Sequence, residues 1–332
     1  MLLTIVLFLA SAVAIYLACD YFTNSIEWVG KHMNLGATAV GSVLAAFGTA
    51  LPESAVTLMA VVFGHTAQQK DIGVGAAMGG PLVLATIAYG VVGLALWLNR
   101  RKLRRADTMV QVEHGRLSRD QLAFLVIFIV KVGLGLVVFA LKPWLGLLFL
   151  LAYAVYVWRE ITTAETDAEE EELEPLKIRA GHPSLFWAGL QAGLALLVIA
   201  FASRLFVTQI EHIGQSLGMA PHLIALLLSP VATELPETMN AIIWVRQGKE
   251  RLALANISGA MMIQATIPSA LGIVFTPWRF DHALLASGVV TALAIIVLYA
   301  MFRRGRVDAR ALTAAAALYG VFALWLALTG AV

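Results

Sequence analysis

Two seven-residue stretches of this chain are near copies. Residues 48–54 read Gly-Thr-Ala-Leu-Pro-Glu-Ser, and residues 232–238 read Ala-Thr-Glu-Leu-Pro-Glu-Thr. A shift of 184 aligns residues 18–54 with 202–238 without a gap. Phe22 then meets Phe206, Ile26-Glu27 meets Ile210-Glu211, Gly30 meets Gly214, Leu44 meets Leu228 and Thr49 meets Thr233. At a shift of 180 the match resumes, pairing Gly79 with Gly259 and Ala85-Thr86-Ile87 with Ala265-Thr266-Ile267. Chance likeness between apolar segments accounts for matched Leu and Ala. It does not account for Pro-Glu, Ile-Glu and Gly in one register. The chain therefore folds as two related halves.

Each copy lies inside a long apolar segment. Apolar residues make up 60% of the 332 and charged ones only 13%, which fits a polytopic membrane protein rather than a soluble domain. A carboxylate inside such a segment is costly and marks a functional site by default. The net charge of +2 gives no reason to expect a nucleic-acid partner, and the single Cys19 excludes an internal disulfide framework or a multi-cysteine metal site. Residues 2–19 have no basic region ahead of them and read as a first span rather than a cleaved signal, although Leu17-Ala18-Cys19 faintly resembles a lipoprotein cleavage site.

A span needs about 20 apolar residues. Ten segments qualify: 2–22, 34–63, 73–98, 121–140, 143–158, 184–206, 221–245, 252–275, 283–302 and 311–330. Odd-numbered connections carry eighteen basic residues, for example Arg100, Arg101, Lys102, Arg104 and Arg105 in the third; even-numbered ones carry four, Lys70, Lys142, Arg204 and Arg279. The positive-inside rule then puts odd connections in the cytoplasm and both termini outside, in the inner (plasma) membrane of a prokaryote.

The expected fold class is all-α, with ten transmembrane helices as two five-helix repeats. An odd number of spans per repeat inverts the second half relative to the first, as in many secondary transporters with a midplane site. The organisation expected is a first repeat over 1–158, an acidic cytoplasmic linker over 159–183 and a second repeat over 184–332. The linker holds Glu160, Glu165, Asp167, Glu169–Glu172 and Glu174 and reads as a solvated connector, without the spacing of a calcium-binding loop.

Pro52 and Pro236 lack an N–H and break the second and seventh spans. Carbonyls near Ala46–Ala50 and Pro230–Glu234 lose helical partners, and an unpaired carbonyl in hydrocarbon is costly unless something satisfies it. Thr49 precedes Glu53 by four residues, and Thr233 precedes Glu237 by four, so hydroxyl and carboxylate share a face. Two such helices crossing could supply the hard oxygens that suit Ca2+. Two carboxylates also neutralise one divalent charge, which makes the pair far cheaper to hold than either alone. Gln264 is either a ligand or an interhelical hydrogen-bonding group. The glycines of the third and eighth spans, Gly73, Gly75, Gly79, Gly80 and Gly259, read mainly as packing positions.

These motifs resemble the calcium:cation antiporter superfamily, in particular sodium/calcium exchangers, whose Gly-Thr-Ser-Leu-Pro-Glu motif stands on the second and seventh helices. The resemblance implies Ca2+ as transported substrate and Na+ or H+ as counter-ion. It implies Glu53 and Glu237 as paired calcium carboxylates, Thr49 and Thr233 as adjacent ligands, and the carbonyls of Ala46 and Pro230 as backbone ligands. It also implies that the first and sixth helices slide past a fixed core. The chain departs from the family pattern. The serine after threonine is Ala50 in one copy and Glu234 in the other, and the polar ligand of the third helix is Leu84. Hydroxyl and amide oxygens for sodium are thus lost and one carboxylate is gained.

Glu234 stands three residues before Glu237 on one face. It either shares a proton with Glu237 or turns to water or to a base. Lys131, inside the fourth span, either neutralises a glutamate in the ion-free state or snorkels from a helix kink. Glu27 and Glu211 read as helix-end or vestibule groups, and the seven scattered histidines argue against a zinc site. The reading is a secondary-active antiporter and not an enzyme, with inorganic cations and the lipid bilayer as its partners. Neither a phosphate-binding Gly-rich loop nor a His-Glu-x-x-His metalloprotease motif is present. The alternatives are a passive cation channel or an antiporter for another cation. A monomer is compatible with a repeat that completes its site within one chain.

Overall fold

The structure, a computed structural model, describes residues 1–32, 50–105, 107–110, 112–163, 173–179, 184–305 and 307–329. Among these, regular structure is helical apart from one isolated bridge between Met109 and Asp308. The helices are α1 (Leu2–His32), α2 (Leu51–Val61), α3 (Ala67–Asn99), α4 (His114–Leu136), α5 (Gly146–Thr163), α6 (Leu185–Leu217), α7 (Pro221–Thr233), α8 (Leu235–Arg246), α9 (Glu250–Phe275), α10 (His282–Arg303) and α11 (Ala309–Leu328). Six of them, α1, α3, α6, α9, α10 and α11, are long and apolar enough to cross a membrane. The predicted span 34–63 is described only from residue 50, so Ala46 and Thr49 lie outside the described residues.

Local chemistry sets several boundaries. Thr66 caps α3 by accepting from the Gln69 amide at 3.1 Å, and Asp281 caps α10 by accepting from Leu284 at 2.9 Å. At the end of α6, Gly218 takes φ +67°, and the Met219 amide bonds back to the Gly214 carbonyl at 3.0 Å. This is a glycine-dependent stop, and Pro221 then opens α7 at its first turn. The fourth predicted span ends earlier than expected, at Leu136. Backbone at Val137 is extended, the Gly135 carbonyl accepts from the Phe280 amide at 3.1 Å, and Lys142 Nζ donates to the Val137 carbonyl at 2.8 Å.

Burial separates the helices into two kinds. The apolar windows of α3 and α9 are 72% and 83% buried within the protein, whereas those of α1 and α6 are each 28% buried. Thus α3 and α9 form the centre, and α1 and α6 present most of their apolar surface outward, as lipid-facing helices do. The α1–α6 pair is antiparallel: Phe8 stacks on Phe206 at 4.8 Å, and Gln191 bonds to the Tyr21 carbonyl at 2.7 Å. α3 and α7 run parallel. A Cβ on Gly75 would lie 2.1 Å from the His222 carbonyl oxygen, and one on Gly79 would lie 2.5 Å from that of Leu226.

Contacts between connections sort them into two faces. On one, Gln69 bonds Glu211 at 2.9 Å, His222 lies 2.6 Å from Asp281, and Lys142 donates to the Trp278 carbonyl at 2.9 Å. The bond to His222 holds the Asp281 carboxyl below the usual carboxylate range. These contacts join the connections after α2, α4, α6 and α9. On the other face, Arg105 pairs with Glu250 at 2.5 Å and Thr108 bonds Asp308 at 2.8 Å, joining those after α3, α8 and α10.

The end of the linker is anchored to the helices, although Glu174, Pro175, Ile178 and Arg179 stay exposed as a solvated connector would have them. Residues 173–179 strap across α1 and α6. Leu176 is buried, Asn24 donates to the Glu174 and Pro175 carbonyls, and Lys177 pairs with Asp20. Gln191 links all three parts: its carbonyl oxygen accepts from the Ile178 amide at 2.9 Å while its amide donates to Asn24 at 3.0 Å. The acidic residues Glu165, Asp167 and Glu169–Glu172 lie outside the described residues. Gln191→Leu strands the Ile178 amide and takes one of the two bonds that Asn24 Oδ1 accepts, leaving the one from the Lys177 amide. A loss of about 1–3 kcal/mol is expected, read as a lower thermal unfolding temperature in detergent and faster proteolysis within 173–179.

Candidate ion-binding site

The two Leu-Pro-Glu motifs open α2 and α8 in the same way. The residue before each helix, Ala50 or Glu234, sits in the sparsely allowed bridge region at φ −86°, ψ 0° and φ −92°, ψ 0°. These positions are equivalent under the 184-residue shift. Each break puts its proline in the first helical turn, where a missing N–H costs nothing. Each also puts its glutamate, Glu53 or Glu237, in that first turn, at the positive end of a half-helix dipole. Pro236 cannot donate to the Ala232 carbonyl, so the end of α7 offers backbone oxygen beside the break. The Pro230 carbonyl accepts from the Glu234 amide at 2.9 Å and retains a second lone pair.

Side chains from both halves meet here. Thr233 Oγ1 donates to Glu53 Oε2 at 2.6 Å, joining residues 180 apart in sequence. Gln264 Nε2, on α9, donates to Glu234 Oε1 at 2.6 Å. Gly80 on α3 makes room for that pair, since a Cβ there would lie 2.6 Å from Gln264 Oε1 and 3.2 Å from Glu234 Oε1. Glu53, Glu234 and Glu237 are all buried, and Glu234 feels the charges of both others. Among the described residues, Glu53 Oε1, Glu234 Oε2 and Gln264 Oε1 are buried without a hydrogen-bond partner. Buried acceptors are ordinarily satisfied, so these three oxygens are open to a further partner; among the described residues no group of three or more His, Cys, Asp or Glu is placed to hold a metal ion.

Glu234 therefore turns inward rather than to water, and Gln264 is its hydrogen-bond donor with an amide oxygen to spare. Lys131 does not snorkel: it is fully buried, and Nζ donates to the Ala77 carbonyl at 2.9 Å and lies 5.0 Å from the Phe128 ring centroid. Its charge acts on Glu53. Three further hydroxyls were not singled out from the sequence. Thr57 follows Glu53 by one turn, Ser229 precedes Thr233 by one turn, and Ser203 stands on α6; all are buried without a partner among the described residues. The repeat carried a signal for the last, because the 184 shift sets Ser203 against Cys19, which lies within electrostatic reach of Glu237.

Known proteins share this architecture. The chain is 25% identical over 341 residues to the inner membrane protein YrbG of Escherichia coli strain K12, covering 99% of this chain and 97% of that one. Its fold is similar to that of the H+/Ca2+ exchanger CAX, with TM-score 0.74 at 19% identity over 97% of this chain and 81% of the other. It is also similar to the sodium-calcium exchanger NCX_Mj, with TM-score 0.60 at 20% identity over 96% and 97%. The profile of the sodium/calcium exchanger protein family matches residues 3–162 and 187–328, nearly the whole length. The chain accordingly belongs to the sodium/calcium exchanger protein family, a family of membrane transporters rather than enzymes.

Proposed function

We propose that the protein is a secondary-active antiporter that moves Ca2+ against Na+ or H+ by alternating access to a site between two inverted repeats. The observation that carries this reading is the meeting of Glu53 with Thr233, and of Glu234 with Gln264, leaving buried oxygens unsatisfied. Glu53 and Glu237 are the principal charge ligands. Thr233, Glu234, Gln264 and the Pro230 carbonyl complete the described part, and Thr49 and the Ala46 carbonyl are assigned by their place in the motif.

Ten crossings are the topology this reading requires. It is supported by the grouping of connections on two faces, and by the parallel course of α3 and α7, which belong to different halves. The face joined by Arg105, Glu250 and Asp308 carries the basic residues and is assigned to the cytoplasm. The outward-facing pair α1 and α6 is assigned the sliding movement.

The relatives' names support Ca2+ as cargo and leave two counter-ions, H+ and Na+. Proteoliposomes loaded with Ca2+ and given a Na+ gradient or a proton gradient separately are expected to release Ca2+ with one of them only. Release that ignores both gradients and follows the Ca2+ gradient alone would mean a channel.

A further inference from the structure

We infer that Lys131 is a resident counter-cation: its ammonium takes the place of one transported monovalent ion and makes exchange electroneutral. The inference rests on the antiporter reading above and concerns its stoichiometry.

Among the described residues, the charges that act on one another around the break are few and all buried: three carboxylates, Glu53, Glu234 and Glu237, and one ammonium, Lys131. The other buried ionic contacts lie elsewhere, such as Glu250 with Arg105 at 2.5 Å. Lys131 is held as a cation is held. Nζ donates to the Ala77 carbonyl on α3 at 2.9 Å and stands 5.0 Å from the Phe128 ring centroid. The backbone of α4 is fixed at this residue by Trp278, whose indole Nε1 donates to the Lys131 carbonyl at 3.0 Å. The charge on Lys131 is felt by Glu53, yet no direct ion pair joins them. Glu53 Oε1 thus stays available to a passing ion.

The charge balance follows. Three carboxylates beside one fixed ammonium leave two negative charges. One Ca2+ cancels them, and so do two Na+ or two H+. Both loaded forms are neutral, which a carrier that rearranges within a low-dielectric membrane needs. Without the ammonium the site carries three negative charges. A Ca2+-loaded site then keeps one, while three monovalent ions cancel all, and one net charge crosses per cycle.

The test is Ca2+ exchange in proteoliposomes clamped with K+ and valinomycin, for wild type, Lys131→Met and Lys131→Arg. Wild type and Lys131→Arg are expected to reach Ca2+ accumulation ratios independent of voltage. Lys131→Met is expected to shift its ratio tenfold for each ~59 mV, the Nernst slope for one charge. A variant too slow to reach equilibrium is read by binding in detergent. The monovalent ions, Na+ and H+ counted together, displaced per bound Ca2+ should rise from two to three in Lys131→Met. A lysine that serves packing alone would alter yield or melting temperature and leave both readouts unchanged. Equal voltage dependence and equal displacement in wild type and Lys131→Met would overturn the inference. A wild type that neither binds nor exchanges Ca2+ would instead overturn the antiporter reading.

Discussion

Ca2+ exchange is expected to disappear in Glu53→Gln and in Glu237→Gln, with Ca2+ affinity falling by about two to three orders of magnitude. The size follows from the environment. Breaking a buried charge pair costs about 3–5 kcal/mol, or roughly two to three and a half decades in an equilibrium constant. Both carboxylates are buried, and Glu53 keeps one oxygen without a partner among the described residues. The amide is nearly isosteric, so the helix breaks at Ala50 and Glu234 should survive. The ion-free variants should melt no lower than wild type, because an uncompensated buried charge has been removed. Wild type should gain thermal stability as Ca2+ is added, by the usual linkage of binding to folding, and the two variants should not. Transport at a tenth of the wild-type rate or more in either variant would remove that glutamate from the site. Thr233→Val is a milder companion. It takes away the 2.6 Å bond to Glu53 Oε2 but no charge.

How much of this was legible beforehand varied with the kind of signal. The matched glutamates stood out because the repeat set them against an apolar background, and Thr233 followed by helical spacing. Gln264 was ambiguous, since a buried amide serves equally as ligand or as interhelical donor; only its 2.6 Å approach to Glu234 shows that it donates. Leu84 stands where the family pattern has a polar ligand. The structure adds that backbone from Leu84 to Ala88 forms a π turn, for which no residue pattern gave notice. Lys131 has two readings of equal standing from sequence, and its burial rules out snorkelling. α1 and α6 run beyond the expected spans 2–22 and 184–206, to His32 and Leu217. Glu27 and Glu211 read as helix-end or vestibule groups, and the helices continue past both, with Glu211 bonded to Thr66 and Gln69 on the neighbouring segment. The strap at 173–179 was hidden by the acidic run before it. Its own signal was Leu176, the apolar residue that the linker turns inward.

Gly75→Val and Gly79→Val are expected to prevent assembly of a folded protein, a larger effect on stability than any change at the glutamates. α3 crosses α7 with almost no space between backbones. A Cβ at residue 75 would lie 2.1 Å from the His222 carbonyl oxygen and 2.9 Å from its carbonyl carbon and Cα; at residue 79 it would meet the Leu226 oxygen at 2.5 Å and Pro230 Cγ at 2.7 Å. Overpacking costs about 1–3 kcal/mol where side chains can yield. Here the obstacles are main-chain atoms and a proline ring, so the helices themselves must separate and about 3 kcal/mol is a lower bound. Separation would also displace the end of α7, and with it Thr233 and Glu234. The measurement is the yield of monodisperse protein by size exclusion in detergent. A normal peak with normal melting for Gly75→Val would show that the crossing is looser than its geometry. Gly80→Ala gives the contrast within the same helix. Its nearest obstacle is the Gln264 amide oxygen at 2.6 Å, the tip of a flexible side chain. That variant should fold and should displace Gln264 from Glu234, so its defect belongs in Ca2+ affinity rather than in yield. The same small-residue stripe thus divides by function. Gly75 and Gly79 let α3 and α7 approach through their backbones, and Gly80 one residue further on makes room for the Gln264–Glu234 pair at the proposed site.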